Sequence, residues 1–168
     1  SETTVHNTKG ELVQVILDAP LREVLPKGFM AVPEGRRSIR WRNDQPATLA
    51  WAEALDKGDP EVEVDYRDEV FQLAAPFSTQ PQPLLKTKNR YRYILWGDAN
   101  TAIAYDYWWN DRNIKAYLFN PADATEEPRI IEDRNYQDRY SDPGSFVTRE
   151  NEYGQNVLEI VNGHAFLL

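Results

Sequence analysis

The chain has 168 residues, with 19 Lys or Arg against 27 Asp or Glu and a formal net charge of −8. This length suits one domain with a sizeable core, and the acidic balance argues against nucleic acids and anionic membrane surfaces as partners, because both attract clustered positive charge. The absence of cysteine excludes disulfides and thiolate metal sites, and no apolar run reaches the roughly 20 residues of a membrane helix.

Residues 1–36 are predicted to form one strand and a linker. Residues 1–10 are polar and are expected to fray. The run Glu11–Leu17 follows and predicts a strand that carries Val13, Val15 and Leu17 on one face. Residues 21–36 contain two Pro and two Gly, which indicate a loop with one short extended piece at Phe29–Val32.

Residues 37–87 predict a unit of four short strands. Ser38–Arg42 alternates, and Ala47–Leu55 is interpreted as a strand rather than a helix because turn signals bound it on both sides. Glu61–Tyr66 alternates in a way that predicts a third strand, with its valines facing inward. The fourth strand is predicted at Val70–Leu73 or Leu84–Leu85.

Residues 88–137 repeat this order of elements. The predicted strands are Arg90–Trp96, Thr101–Trp109, Ile114–Phe119 and Arg129–Ile131. Aligning the two units matches Trp41 with Trp96 at an offset of 55 residues, and Ala47–Trp51 with Thr101–Tyr105 at 54. Pro60–Val64 matches Ile114–Leu118 at the same offset of 54. We place the one-residue slip in the first turn, where length changes are tolerated.

A repeat of about four short strands separated by tight turns is typical of a β-propeller blade. We therefore predict an all-β fold, a partial β-propeller with about two to three four-stranded antiparallel blades after an N-terminal strand. The predicted blades are residues 37–87, 88–137 and 140–168, which together make up a domain of residues 37–168. The apolar final residues Ala165–Leu168 predict a piece of a larger protein whose open strand edges support self-association.

Several strings within residues 22–145 resemble the prolyl oligopeptidase family of serine peptidases, and most of all its glutamyl-endopeptidase-like branch. They are Ser38–Arg42, Pro46–Leu49, Glu53–Pro60, Arg67–Asp68, Leu95–Gly97 and Asp133–Ser145. The resemblance implies an N-terminal propeller that covers a separate α/β-hydrolase domain of the parent chain and admits peptide substrates. It implies that the catalytic Ser, Asp and His belong to that domain, and it favours a periplasmic, otherwise exported or organellar enzyme.

A direct search for chemistry predicts no catalytic, cofactor-binding or metal-binding residue in this chain, and hence no cofactor. None of the serines lies in the G-x-S-x-G turn of α/β-hydrolases, and His6 and His164 are interpreted as solvated. The paired carboxylates are interpreted as solvated turn and strand residues; they are Asp56/Asp59, Glu61/Glu63, Glu126/Glu127 and Glu132/Asp133. An independent hydrolase would need two of them in one cleft.

The most conspicuous local feature is an aromatic row of Tyr105, Tyr107 and Trp109 on one strand face. The preferred interpretation is packing between adjacent blades, where large aromatic side chains fill the space between sheets. The alternative function is a self-contained carbohydrate- or peptide-binding β module that uses this row as tentative ligand contacts, which requires the row to be exposed. Scattered arginines such as Arg92 would suit an acidic peptide, but the sequence places none of them in a groove.

Overall fold

In the computed structural model, residues 1–19 and 25–168 are described, and within these ranges the chain forms strands and no helix. The strands are β1 (Glu2–His6), β2 (Leu12–Asp18), β3 (Arg37–Trp41), β4 (Thr48–Ala54), β5 (Asp68–Ala74), β6 (Gln82–Thr87), β7 (Arg90–Asp98), β8 (Thr101–Trp108), β9 (Asn113–Phe119), β10 (Arg129–Asn135), β11 (Thr148–Glu150), β12 (Asn156–Leu158), β13 (Ile160–Val161) and β14 (His164–Ala165). The all-β prediction is confirmed. In the described part of the chain, no helix is long and apolar enough to cross a membrane.

Two four-stranded antiparallel sheets dominate the molecule. The first sheet has the order β3-β4-β5-β6 and the second has the order β10-β9-β8-β7, so each sheet is an up-and-down meander. Only residues 88–89 separate the last strand of the first sheet from the first strand of the second. These sheets confirm the predicted four-stranded antiparallel units, and their arrangement is consistent with a partial propeller.

The two ends of the chain are hairpins. Strands β1 and β2 pair with each other, so the prediction that residues 1–10 fray is wrong. Val5 and Ile16 are buried between this hairpin and the first sheet, whereas Val13 and Val15 face solvent. The C-terminal unit consists of the hairpins β11–β12 and β13–β14, not one four-stranded sheet. The short extended piece predicted at Phe29–Val32 contains no strand. Residues 21–24 of the predicted loop lie outside the described residues.

The sheets stack face to face between the two end hairpins. Leu49 and Trp51 of β4 pack toward the N-terminal hairpin, while Ala50 and Ala52 face the second sheet. Strand β8 repeats this pattern, because its alanines face the first sheet and Ile103 packs toward the C-terminal hairpins. Strands β4 and β8 are thus covered on both faces, which explains why their sequences are continuous apolar runs.

The strand register corrects the proposed internal repeat. Trp41 pairs with Leu49, and Leu95 pairs with Ile103, so one offset of 54 residues relates both the first and the second strands of the two sheets. Trp41 therefore corresponds to Leu95, and no slip occurs in the first turn. The third strands are β5 and β9, which correspond at an offset of 45 because Ala50 pairs with Gln72 and Ala104 pairs with Tyr117.

The predicted strand Glu61–Tyr66 does not exist. Thirteen residues, 55–67, separate β4 from β5, whereas four residues, 109–112, separate β8 from β9. Within the longer loop, the Val62 N–H donates to the carbonyl of Asp59 at 3.2 Å and closes a turn. The alternation of residues 61–66 therefore belongs to an irregular loop, and Val62 is exposed rather than inward.

Candidate functional site

A buried cluster of charged side chains lies at the junction of the two sheets. Arg90 is the first residue of β7, and its side chain is 2% exposed. Its Nη1 donates to Asp56 Oδ1 at 2.8 Å and to Asp68 Oδ1 at 3.2 Å. Its Nε donates to the carbonyl of Met30 at 2.8 Å. One guanidinium thus connects the second sheet to β5, to the 55–67 loop and to the segment that precedes the first sheet.

Two further arginines complete this charged junction. Arg67 donates from Nη1 to Asp56 Oδ2 at 2.8 Å, and its guanidinium carbon lies 4.5 Å from the centroid of the Trp108 ring. Arg37, the first residue of β3, pairs with Asp68 through Nη2. Three guanidiniums therefore surround two carboxylates, whose side chains are 0% exposed. Charges removed from water in this way require such partners.

The two carboxylates of the junction respond differently to their surroundings. Burial raises the pKa of Asp68 above its usual range, although Arg37 and Arg90 oppose that effect. Burial also acts on Asp56, but hydrogen bonds from Arg90 and Arg67 outweigh it and hold the pKa of Asp56 below its usual range. Both carboxylates are engaged by arginines and closed to solvent, so the junction is suited to holding the sheets together rather than to acid–base chemistry.

A third buried carboxylate fixes the short connection between the sheets. Asp106 of β8 accepts a hydrogen bond from the Tyr117 hydroxyl at 2.6 Å and another from the Asn89 N–H at 2.9 Å. The same hydroxyl accepts a hydrogen bond from the Lys88 N–H at 3.0 Å. Burial raises the pKa of Asp106 despite these bonds. The carboxylate therefore positions residues 88–89, where the chain passes from one sheet to the next.

The aromatic row predicted from the sequence is divided between the interior and the surface. Tyr105 is 9% exposed and stacks on Tyr93 with ring centroids 4.7 Å apart. It belongs to the cluster that joins the second sheet to Leu158 of the C-terminal hairpins. Tyr107 is half-buried, and Trp109 is 40% exposed in the turn after β8. A ligand-contact role for these three residues stays a prediction.

The residues considered for catalysis are not brought together. His6 contacts the Gly10 carbonyl and the Thr4 hydroxyl, and His164 contacts the carbonyl of Asn162. A turn at residues 162–163 joins β13 to β14, and His164 is the first residue of β14. Among the residues that the structure describes, no group of three or more His, Asp or Glu side chains is placed to hold a metal ion.

The charged junction was not predicted from the sequence. The prediction that Asp56 is a solvated turn residue is wrong, because its side chain is buried against Arg90. The sequence indicates the charged junction only weakly: Asp56 follows an apolar run, and Arg67–Asp68 directly precedes another. Such residues are most often solvated, and the partner of Asp56 lies 34 residues away along the chain.

Two curated relatives match about nine tenths of the chain. It is 40% identical over 156 residues to a probable chloroplastic glutamyl endopeptidase from Arabidopsis thaliana. It is 39% identical over 151 residues to the protein of the same name from Oryza sativa subsp. japonica. The matches cover 92% and 89% of this chain but only 16% of each relative, so the chain spans about one sixth of their length.

No family model and no solved structure matches the chain. The identity to two curated relatives extends through both four-stranded sheets, because it covers about nine tenths of the sequence. The predicted resemblance to the glutamyl-endopeptidase-like branch is thereby confirmed, and the chain corresponds to one segment of such a protein.

Proposed function

We propose that this chain is a non-catalytic segment of a serine peptidase of the prolyl oligopeptidase family. In this proposal its sheets are consecutive propeller blades, and the propeller restricts which peptides reach a separate α/β-hydrolase domain. The observation that carries the proposal is the identity of 39–40% to proteins named glutamyl endopeptidases, over about nine tenths of the chain.

The way the sheets follow each other supports the propeller part of the proposal. Each sheet is a four-stranded antiparallel meander, and a two-residue connection leads from the last strand of one to the first strand of the next. Propellers are built by such radial repetition of four-stranded blades. The clusters on both faces of the second sheet support the same view, because a blade is packed between two neighbours.

The use of the buried polar groups supports a scaffold role. Asp56, Asp68 and Asp106 all bind groups that hold strands or loops in place. The histidines bind a threonine hydroxyl and backbone carbonyls rather than a serine or a carboxylate. The alternative of a binding module on the aromatic row has weaker support, because Tyr105 is buried against the C-terminal hairpins.

A chimera tests the proposal. This chain replaces the matched segment of the Arabidopsis relative, and hydrolysis of a glutamate-containing peptide is compared with digestion of a folded, glutamate-rich protein. We expect the chimera to cleave the peptide, to leave the folded protein intact and to react with a fluorophosphonate probe. A soluble chimera that digests the folded protein as readily as the peptide would contradict the restricting role.

The isolated chain is the matched control. We expect it neither to cleave the same peptide nor to react with the fluorophosphonate probe, because the catalytic serine belongs to the other domain in this proposal. Peptide hydrolysis by the isolated chain that the probe abolishes would overturn the assignment as a non-catalytic segment.

A further inference from the structure

A groove of about 420 Å³ lies between the first strands of the two sheets. Its lining comes from β3, the turn after it, β4 and β7, and consists of Ser38, Arg40, Trp41, Asn43, Ala50, Tyr91, Arg92, Tyr93, Ile94 and Trp96. Strands β3 and β7 are both edge strands of their sheets. This cavity, here termed the first-strand groove, therefore lies beside two strand edges, and a strand edge is a surface on which an extended chain can pair.

The first-strand groove is positive in an acidic protein. Its two charged side chains, Arg40 and Arg92, are exposed, and neither forms an ion pair with a carboxylate in the described part of the chain. No Asp or Glu lines it. Two other cavities carry acidic residues: one includes Asp18, Glu34 and Asp59, and another includes Glu69, Glu126 and Glu127. With a formal net charge of −8, the molecule as a whole repels anions, so the charge of this groove is opposite in sign to that of the whole chain.

A bulge interrupts the strand pairing beside each of these arginines. Tyr91 and Tyr93 pair with the adjacent residues Asp106 and Tyr105, which leaves Arg92 as the extra residue of β7. In β3 the register shifts between Arg37 and Arg40, where Ser38 has a φ of 54°. Bulges re-aim side chains at sheet edges and are over-represented next to binding and active sites. Both sheets thus carry an edge irregularity that places an arginine at the same groove.

Two aromatic side chains flank the arginines. Trp41 is 51% exposed and Tyr93 is 45% exposed. Tyr93 is held from behind by its stacking on Tyr105, at a centroid distance of 4.7 Å. The guanidinium carbon of Arg92 lies 5.8 Å from the centroid of the Tyr93 ring, which orients the arginine without neutralising it. The groove therefore offers apolar surface next to unpaired positive charge.

We propose that the first-strand groove binds an extended acidic peptide. Arg40 and Arg92 each pair with a side-chain carboxylate, since the planar guanidinium matches a carboxylate with two parallel hydrogen bonds. The peptide backbone runs along a strand edge and its apolar parts cover Trp41 and Tyr93. This inference rests on the proposed function only for the identity of the peptide, which is then the substrate selected by the propeller.

Peptide binding to the intact 168-residue chain tests the groove. The probes are a fluorescein-labelled peptide of four Ala-Glu repeats and its Ala-Gln counterpart, measured by fluorescence anisotropy at low salt. We expect the Glu peptide to bind the unaltered chain. The Gln peptide should bind at least roughly tenfold more weakly, because two charge-assisted contacts are lost. Equal binding of the two peptides, or no binding of the Glu peptide, would overturn the inference.

A pair of matched variants locates the site. Arg40→Gln with Arg92→Gln removes the groove charges, whereas Arg129→Gln with Arg149→Gln removes the same charge from exposed residues of β10 and β11. We expect the first variant to weaken Glu-peptide binding roughly tenfold or more and the second to change it less than about twofold. Equal weakening by both would show a general charge effect and refute the groove.

The chimera with the Arabidopsis relative separates the two proposals. If the chimera excludes folded protein but the groove variant binds the Glu peptide normally, the groove fails and the proposed function stands. If the groove variant loses binding while the chimera digests folded protein freely, the groove stands as a peptide site and the restricting role fails.

Discussion

The two four-stranded sheets share one pairing scheme but differ in the connection between their second and third strands. In the first sheet, residues 55–67 make this connection, and in the second sheet residues 109–112 make it. The strands on either side keep their partners in both sheets. The nine extra residues therefore change what the connection contacts without changing the sheet that it connects.

The longer connection reaches other parts of the molecule. Asp56 binds Arg90 of the second sheet, and the Gly58 carbonyl accepts a hydrogen bond from the Val32 N–H at 3.0 Å. The shorter connection takes no part in the charged junction: Arg112 stacks on Trp109 at 3.8 Å within the same turn, and Trp109 packs against Phe29 with ring centroids 5.4 Å apart. The strands therefore carry the repeat, while one enlarged loop carries part of the charged junction between the sheets.

The largest expected effect comes from removing the centre of that junction. Arg90→Met leaves Asp56 with Arg67 and Asp68 with Arg37, but deprives both carboxylates of their shared buried partner. We expect the free energy of unfolding to fall by about 3 kcal/mol, the lower end for a broken buried ion pair, because the other arginines remain. Urea unfolding at pH 7, followed by tryptophan fluorescence, measures the change.

Arg92→Met is the matched control for this variant. Arg92 lies two residues further along the same strand and is exposed without an ion pair in the described structure. We expect a change within about 0.5 kcal/mol, as for most surface substitutions. If Arg90→Met costs no more than Arg92→Met, the buried ion pairs of Arg90 contribute no more to stability than an exposed, unpaired arginine.

The next effect tests how tightly the longer connection is fitted. Gly58 has a φ of +77°, and a Cβ built there would lie 1.8 Å from the carbonyl oxygen of Val32. Gly58→Ala must therefore displace the backbone, and we expect a loss of about 2–3 kcal/mol. Gly35 has a similar φ of +80° but no atom within 4 Å, so Gly35→Ala is expected to cost only about 1 kcal/mol. Equal losses in thermal or urea unfolding would mean that the loop yields without resistance.

The pH dependence of stability distinguishes the carboxylates of the two regions. The pKa of Asp56 is held below its ordinary value of 3.8 in the folded chain, so its stabilising contribution is complete above that value and is lost as the pH falls through the folded pKa. The pKa of Asp106 is raised by burial above the same ordinary value of 3.8. Its protonation therefore favours the folded chain as the pH falls from the raised pKa toward the ordinary one.

Two asparagine variants measure these opposite contributions. Between pH 7 and roughly pH 3, we expect Asp56→Asn to lose stability less steeply than the unaltered chain, because the contribution lost on acidification is already gone. Asp106→Asn is expected to lose stability more steeply, because it lacks the opposing gain. Urea midpoints at several pH values give the slopes, and slopes that change in the same direction would refute the contrast.

The sequence predicted the parts of the fold whose signal is local. The apolar runs of β4 and β8 are bounded by turn residues, and both are strands as predicted. Strand β1 was missed because its polar residues acquire order from pairing with β2, which the sequence of β1 does not reveal. Residues 61–66 alternate like a strand, but a strand also needs a free neighbouring edge, and β5 already pairs with β4 along its full length.

The two candidate sites were less predictable for the same reason. Arg90, Asp56 and Asp68 come together only because the sheets stack and the 55–67 loop folds across their junction. The first-strand groove likewise depends on β3 and β7 of the two sheets lining one cavity, next to bulges whose position the sequence pattern does not show. Distance along the chain separates these residues, and only tertiary packing joins them.

The smallest expected effect compares one strained residue in each connection. Lys57 and Arg112 have φ values of 56° and 59°, a left-handed conformation that costs an L-residue about 1 kcal/mol. Lys57→Gly relieves this strain, and part of the gain is offset by the greater freedom of glycine in the unfolded chain, so we expect up to about 1 kcal/mol of stabilisation.

Arg112→Gly relieves the same strain but also removes the hydrogen bond from the guanidinium Nη1 to the Trp109 carbonyl and the stacking of the guanidinium on the Trp109 ring at 3.8 Å. That contact contributes about 0.5–1 kcal/mol at an exposed site, so we expect a net change near zero. Urea unfolding of the two variants side by side measures the difference. Equal stabilisation by both would mean that the side-chain contacts of Arg112 contribute nothing to stability.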